Sequence, residues 1–296
     1  MKSKENFTAA DFEIEKIEPN TLNLLTHLVT SVMQNESAAS ELYEFLQCKK
    51  ETAKESIREI YVFVWFYPGF QLSLLNSICS AYTTNTPSSL ESILKLVTLL
   101  CEEYVVVRNI LQHKLDTSLH PFLCAASVDF SERIKLSVLE IYCSILKTVT
   151  NTHCNLIPFS DILPITLRVI NQPETRLKVK GTYLLFLIIS VQVATEETHQ
   201  KYSSRGLEYT VQTVDRFNAV DMVIGPLVMH GVNTRNPLLL KNVFRIYLKL
   251  CEKSNVRTKI LEDKMPEGMF SKEIYSILKN DYELNELHKK IAKVMK

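Results

Sequence analysis

Apolar residues recur along this chain at intervals of three and four, the period of a helix with one buried face. Residues 236–250 show it most clearly. Leu240, Val243, Phe244, Tyr247 and Leu248 form one apolar stripe, and Lys241, Arg245 and Lys249 step by four along a second, basic one. Asn236 suits the N-cap, and Pro237 suits the first helical position, where its missing N–H costs nothing. Ser88-Ser89-Leu90-Glu91 reads as a capping box that opens a helix ending near Glu103. Pro173 before Glu174 opens another helix, and Thr195-Glu196-Glu197 opens the next. The longest apolar run, Tyr183 to Ala194, is too short to span a bilayer, contains Gln192 and reads as a buried helix. No long Val/Ile/Thr alternation bounded by Gly turns occurs, so the expected fold class is all-α.

The helical segments repeat. Ile93 aligns with Ile134 and Leu136 with Leu177, each a step of 41 residues; Pro121 aligns with Pro164, a step of 43. The next comparable start, Leu240, lies 63 residues beyond Leu177, so one unit is longer or carries an extra helix. A period of about 40 to 47 residues with two or three helices per unit is the armadillo/HEAT signature. Stacked units of this kind bury one continuous core and leave an extended concave face. No Pro/Gly/Ser-rich linker splits the chain. The expectation is a flexible N-terminal segment over residues 1–20 and a single armadillo-type domain over 21–296.

Composition narrows the function. Of 296 residues, 46% are hydrophobic and 23% charged, with 34 Lys+Arg against 33 Asp+Glu. That balance excludes wholesale disorder and a strongly basic nucleic-acid coat. Only 6 Gly occur, which weighs against the Gly-rich turns of phosphate and dinucleotide sites. The seven Cys form no CxxC pair and sit mostly in apolar runs, as reduced core thiols do. Met1 to Asn6 lacks the apolar stretch of a signal peptide, so an intracellular protein is expected.

Catalytic and metal motifs are not found. No two of the seven His stand at i, i+4; there is no HExxH, no GxSxG elbow and no phosphate loop. His153-Cys154 are adjacent, but neighbouring side chains on a helix diverge and no further ligand follows at metal spacing. Glu102-Glu103 and Glu196-Glu197 read as helix ends. The chain is therefore expected not to be an enzyme and to need no cofactor or metal.

Two features point instead to binding. Arg133/Lys135, Lys178/Lys180 and Lys241/Arg245 stand near the starts of equivalent helices in successive units. If those helices line the inner groove, they form a basic ladder for a phosphate backbone or an acidic peptide; otherwise they are exposed residues answering nearby Asp and Glu. Tyr183, Phe244 and Tyr247 either stack bases beside that ladder or belong to the core, where the apolar stripe puts them. The second feature is an aromatic run, Ile60 to Phe70, around the single Trp65. It is either core or the anchor of an interface, since interfaces favour large aromatic residues.

Several collinear stretches then resemble a known family. They are Trp65-Phe66-Tyr67-Pro68-Gly69 leading into Leu74-Leu75 and Tyr82; His120-Pro121-Phe122-Leu123; Ile134-Lys135-Leu136-Ser137; residues 163–170; Gln212 to Phe217; and residues 239–250. Together they resemble subunit nine of the CCR–NOT mRNA deadenylase complex, the cell differentiation or Rcd-one/Caf-forty family, from about residue 22 to about residue 290. The resemblance implies a right-handed superhelical solenoid of about six armadillo-type repeats, without catalytic activity. It implies docking on the NOT scaffold subunit, recruitment of mRNA-decay regulators through short peptide motifs, and a cytoplasmic and nuclear location. On this resemblance the scaffold contact falls on Trp65, Phe66, Pro68, Leu72 and Leu75. Phe66 replaces a His there, Pro68 a Phe and Leu72 a small residue. The peptide or nucleic-acid groove falls on Arg133, Lys135, Lys178, Gly181, Arg216, Lys241 and Arg245. Arg216 matches a tryptophan-pocket Arg, but Val214 replaces an aromatic, Ala219 a His, and Asn255 a second pocket Arg. Single-stranded nucleic acid is the alternative ligand, no membrane contact is expected, and a homodimer is left open.

Overall fold

The structure, a computed structural model, describes residues 14–84, 87–124, 130–149, 156–192, 205–262 and 265–295. All regular elements among them are helices, and the architecture is an all-α helical repeat. The chain divides into two compact units at Val149/Thr150.

The first unit contains α1 (Pro19–Gln34), α2 (Ala39–Thr52), α3 (Ile57–Phe66), α4 (Phe70–Thr84), α5 (Pro87–Leu100), α6 (Tyr104–Gln112), α7 (His120–Cys124) and α8 (Glu132–Thr148). Its backbone is the stack α2–α5–α8, in which α5 packs against both neighbours. Ile93 on α5 and Ile134 on α8, aligned by the repeat, are both buried. Polar rungs join the same two helices: Ser144 Oγ donates to the Thr98 carbonyl at 3.2 Å, and Thr148 Oγ1 to that of Cys101 at 2.7 Å. Each satisfies a carbonyl near the end of α5 that has no further turn to bond it.

The second unit contains α9 (Phe159–Ile170), α10 (Thr175–Ser190), α11 (Arg205–Val211), α12 (Val214–Asn233), α13 (Pro237–Leu250), α14 (Ser254–Glu262), α15 (Lys272–Leu278) and α16 (Tyr282–Val294). Here the stack is α10–α13–α16. Leu177 and the next comparable start, Leu240, are fully buried on the first two of these helices, whereas Leu136 on α8, aligned with Leu177, is half-buried. The long step between them holds the 20-residue α12 and residues 193–204, which lie outside the described residues.

Helix α13 forms as its sequence predicts. Asn236 Oδ1 accepts from the Leu239 N–H at 3.0 Å, Pro237 opens the helix, and Leu240, Val243, Phe244 and Tyr247 are buried. Phe244 and Tyr247 are thus core rings, not stacking platforms. The capping box at Ser88 is a correction: α5 begins at Pro87 and already contains Ser88, which therefore lies inside the helix rather than at its N-cap. The next residue, Ser89, ties α5 to a neighbouring turn, its Oγ donating to Glu36 Oε2 at 2.8 Å. The Glu102-Glu103 reading holds, with Glu103 accepting from Val105 N as the N-cap of α6 and Glu102 pairing with Lys50. The Thr195 helix start and His153-Cys154 fall outside the described residues. Among the described cysteines, Cys101, Cys143 and Cys251 are buried thiols, and burial pushes Cys143 up to about 12 and Cys251 to about 11. No single described helix is long and apolar enough to cross a membrane.

Candidate functional site

The corner between α3 and α4 is built by three residues. Tyr67 is extended, as the residue before a proline must be, and its N–H closes α3 on the Val64 carbonyl. Pro68 follows, and Gly69 takes φ +83°, a conformation that disfavours any side chain. A Cβ at Gly69 would also stand 2.9 Å from Met33 Cε, so α4 approaches the end of α1 closely here.

The five residues assigned to scaffold contact separate at this corner. Pro68 is exposed and Leu72 on α4 is 63% exposed. Phe66 and Leu75 are half-buried. Trp65 is only 4% exposed, with its Nε1–H donating to Asn109 Oδ1 on α6 at 3.0 Å. That corrects its assignment as a contact residue: the indole is part of the core behind the surface. Phe63 and Tyr67 meet edge to face at 5.8 Å, so part of the aromatic run packs on itself.

Leu72 and Gly69 border an open groove of about 480 Å³ between the end of α1 and α4. Its other walls include Met33 and Glu36 on one side and Ser73 and Asn76 on the other. Sequence reading did not reach Met33 or Glu36. They lie more than thirty residues before Leu72, and only the packing of α1 on α4 brings them there.

The assigned groove cations do not form a free ladder. Lys241 Nζ pairs with Asp281 at 2.9 Å and Glu283 at 3.0 Å, at the start of α16. Arg245 pairs with the same Glu283, and Lys249 with Glu252 at 2.7 Å. Hydrogen bonds that Lys241 donates to Asp281 and then to Glu283 hold its ammonium above the usual lysine range. In return Asp281 is held low, first by the Leu284 backbone N–H that it caps and then by Lys241; Glu283 is held low by Lys241 and Arg245.

Lys178 is also committed. Its Nζ donates to the carbonyls of Ile170 and Gln172, at 3.2 and 2.5 Å, and so caps the end of α9, while burial lowers its affinity for the proton. Gly181 is a packing glycine rather than a groove wall: a Cβ there would stand 2.8 Å from Ile170 Cγ1, at the close contact of α9 with α10. Arg133 is exposed on α8, near enough to Glu91 of α5 to help lower its carboxyl, after Lys95. Lys135 is half-buried.

Arg216 lies 4.1 Å from the Tyr209 ring centroid and donates to Gln212 Oε1 at 2.8 Å and the Tyr209 carbonyl at 3.3 Å. Tyr209 stacks in turn on Phe159. The guanidinium that would grip an indole thus already lies on a tyrosine of its own chain. Val214, 62% exposed, and the exposed Ala219 and Asn255 add no ring or cation.

Among the described residues no group of three or more His, Cys, Asp or Glu is placed to hold a metal. Stacked helices with an apolar-edged groove and internally neutralised basic stripes define the molecule's class, an all-α helical-repeat protein. Within that class the chain belongs to the cell differentiation family, Rcd1-like, whose pattern matches residues 27–295. It is 25% identical over 240 residues to Protein CAF40 of Saccharomyces cerevisiae, covering 77% of this chain and 60% of that protein. It is likewise 25% identical over 242 residues to the cell differentiation protein rcd1 of Schizosaccharomyces pombe, covering 77% of this chain and 80% of that protein.

Proposed function

We propose that this chain is a non-catalytic docking subunit of the CCR–NOT mRNA deadenylation complex, working in the cytoplasm and nucleus. It binds the NOT scaffold subunit through the α3–α4 corner and receives regulators of mRNA decay on its other faces. Family membership supports the complex. The observation that carries the surface is Leu72: a large apolar side chain left in water at the rim of an open groove, beside Pro68. Apolar anchors over a pocket, ringed by polar groups such as Ser73 and Asn76, are what protein interfaces concentrate their binding energy in. Direct binding of single-stranded nucleic acid by the α13 stripe is the weaker reading, because Asp281 and Glu283 already answer Lys241 and Arg245.

The test is co-purification of the tagged chain from its own cells with and without Leu72→Glu. The wild-type chain should recover the NOT scaffold with deadenylases. The variant should lose it by at least about thirtyfold, the weight of an interface hot spot, with helicity intact. Equal recovery by both forms would remove this surface from the proposal, and recovery of no scaffold by the wild type would remove the complex.

A further inference from the structure

Trp65 is tied at both ends. Its indole N–H donates to Asn109 Oδ1 on α6 at 3.0 Å, and its carbonyl accepts from Gln71 Nε2 on α4 at 3.1 Å. Trp65 and Gln71 also wall a small void of about 30 Å³, with Leu75 and Ile110 among its other sides. A ring that abuts a void lacks packing partners along that edge, so contacts alone leave it freedom to shift. The hydrogen bond to Asn109 removes that freedom. Between Trp65 and Gln71 the chain passes through extended Tyr67, Pro68 and the left-handed Gly69, so no continuous helical ladder sets the angle of α4 on α3. The side-chain ties span this corner beside one backbone hydrogen bond, from Phe70 N–H to the Tyr67 carbonyl at 3.0 Å, and Pro68 and Leu72 stand on it.

We infer that Asn109 is a positioning residue for the docking surface: by holding Trp65 it fixes how Pro68 and Leu72 are presented, without touching the partner. The inference rests on the reading of that surface as the scaffold contact. Asn109 is itself half-buried on a different helix, 44 residues from Trp65.

Trp65 is the single tryptophan of the chain, so intrinsic fluorescence reports on this ring alone. The experiment measures fluorescence and affinity of the full chain for its purified NOT scaffold subunit in four variants. Asn109→Leu keeps the shape but removes the acceptor. It should shift the Trp65 emission and weaken scaffold binding about three- to tenfold, the worth of one hydrogen bond. Asn109→Asp retains an acceptor and should restore both to near wild type. Gln71→Leu, which frees the other end, should weaken binding to a similar degree and decides the matter if Asn109→Leu fails to fold. Wild-type affinity in Asn109→Leu, or in Gln71→Leu where that variant decides, overturns the inference if Leu72→Glu still abolishes binding. Full binding by Leu72→Glu overturns the surface and the inference with it.

Discussion

At the α3–α4 corner an apolar side chain stands in water; on α13 three cations are each answered by a carboxylate of the same chain. The contrast shows which kinds of surface residue can be satisfied internally. A long cationic side chain bends to an acid several ångströms away at little cost, so a basic stripe is consistent with no partner at all. Leu72 has no such recourse. It is either covered by something else or stays wet, and its place on a groove edge favours covering. The difference also separates two meanings of an aromatic run: within a few residues of each other, Trp65 serves the core and Pro68 faces solvent.

The largest effect that would break this comparison is at its core side. Trp65→Ala should destabilise the protein by about 3–5 kcal/mol, as truncation of a buried tryptophan does. Leu72→Glu should leave stability within about 0.5 kcal/mol, as an exposed change does. Thermal unfolding followed by circular dichroism checks both; similar losses in the two variants would mean that corner and core are not separable. Next in size is Gly181→Val, which adds a branched side chain and forces its Cβ against Ile170. A cost of about 1–3 kcal/mol is expected from overpacking, and a stabilised variant would mean that α9 and α10 have room to part.

The smallest effect concerns the charged face. Asp281 and Glu283 have folded-state affinities for the proton below their unfolded values of about 3.9 and 4.3. Their contribution is therefore present above about pH 4 and lost as pH falls through the lower folded values. The double change Asp281→Asn with Glu283→Gln keeps a good N-cap on α16 and removes the pairing charges. It should cost about 0.2–1 kcal/mol at neutral pH and flatten the loss of melting temperature on acidification. The same double variant exposes Lys241 and Arg245. Salt-sensitive binding of single-stranded nucleic acid should then rise above the wild-type level, and no rise would show that these cations make no such site even when freed.

The local readings that held share a physical basis. The cap at Asn236 and the stripe on α13 involve groups within one or two turns, where backbone geometry alone brings them together. Of the aligned positions, Ile93, Ile134, Leu177 and Leu240 are buried on stacked helices, whereas Leu136, aligned with Leu177, is only half-buried. Misreadings arose where a distant element intervened. Lys241, assigned to the groove, is taken by Asp281 and Glu283, about forty residues on. Lys178 is taken by carbonyls at the end of the helix before its own. Gly181, assigned to the groove, is instead the space that Ile170 occupies.

Sequence by itself determined that this chain is built of stacked amphipathic helices and which family it resembles, because periodicity and collinear motifs are properties of the chain's order. Only the tertiary structure decided which side chains are available to a partner. Availability depends on what packs against a residue from tens of positions away. For Trp65 that neighbour is Asn109, for Lys241 it is the start of α16, and for Leu72 it is an open groove.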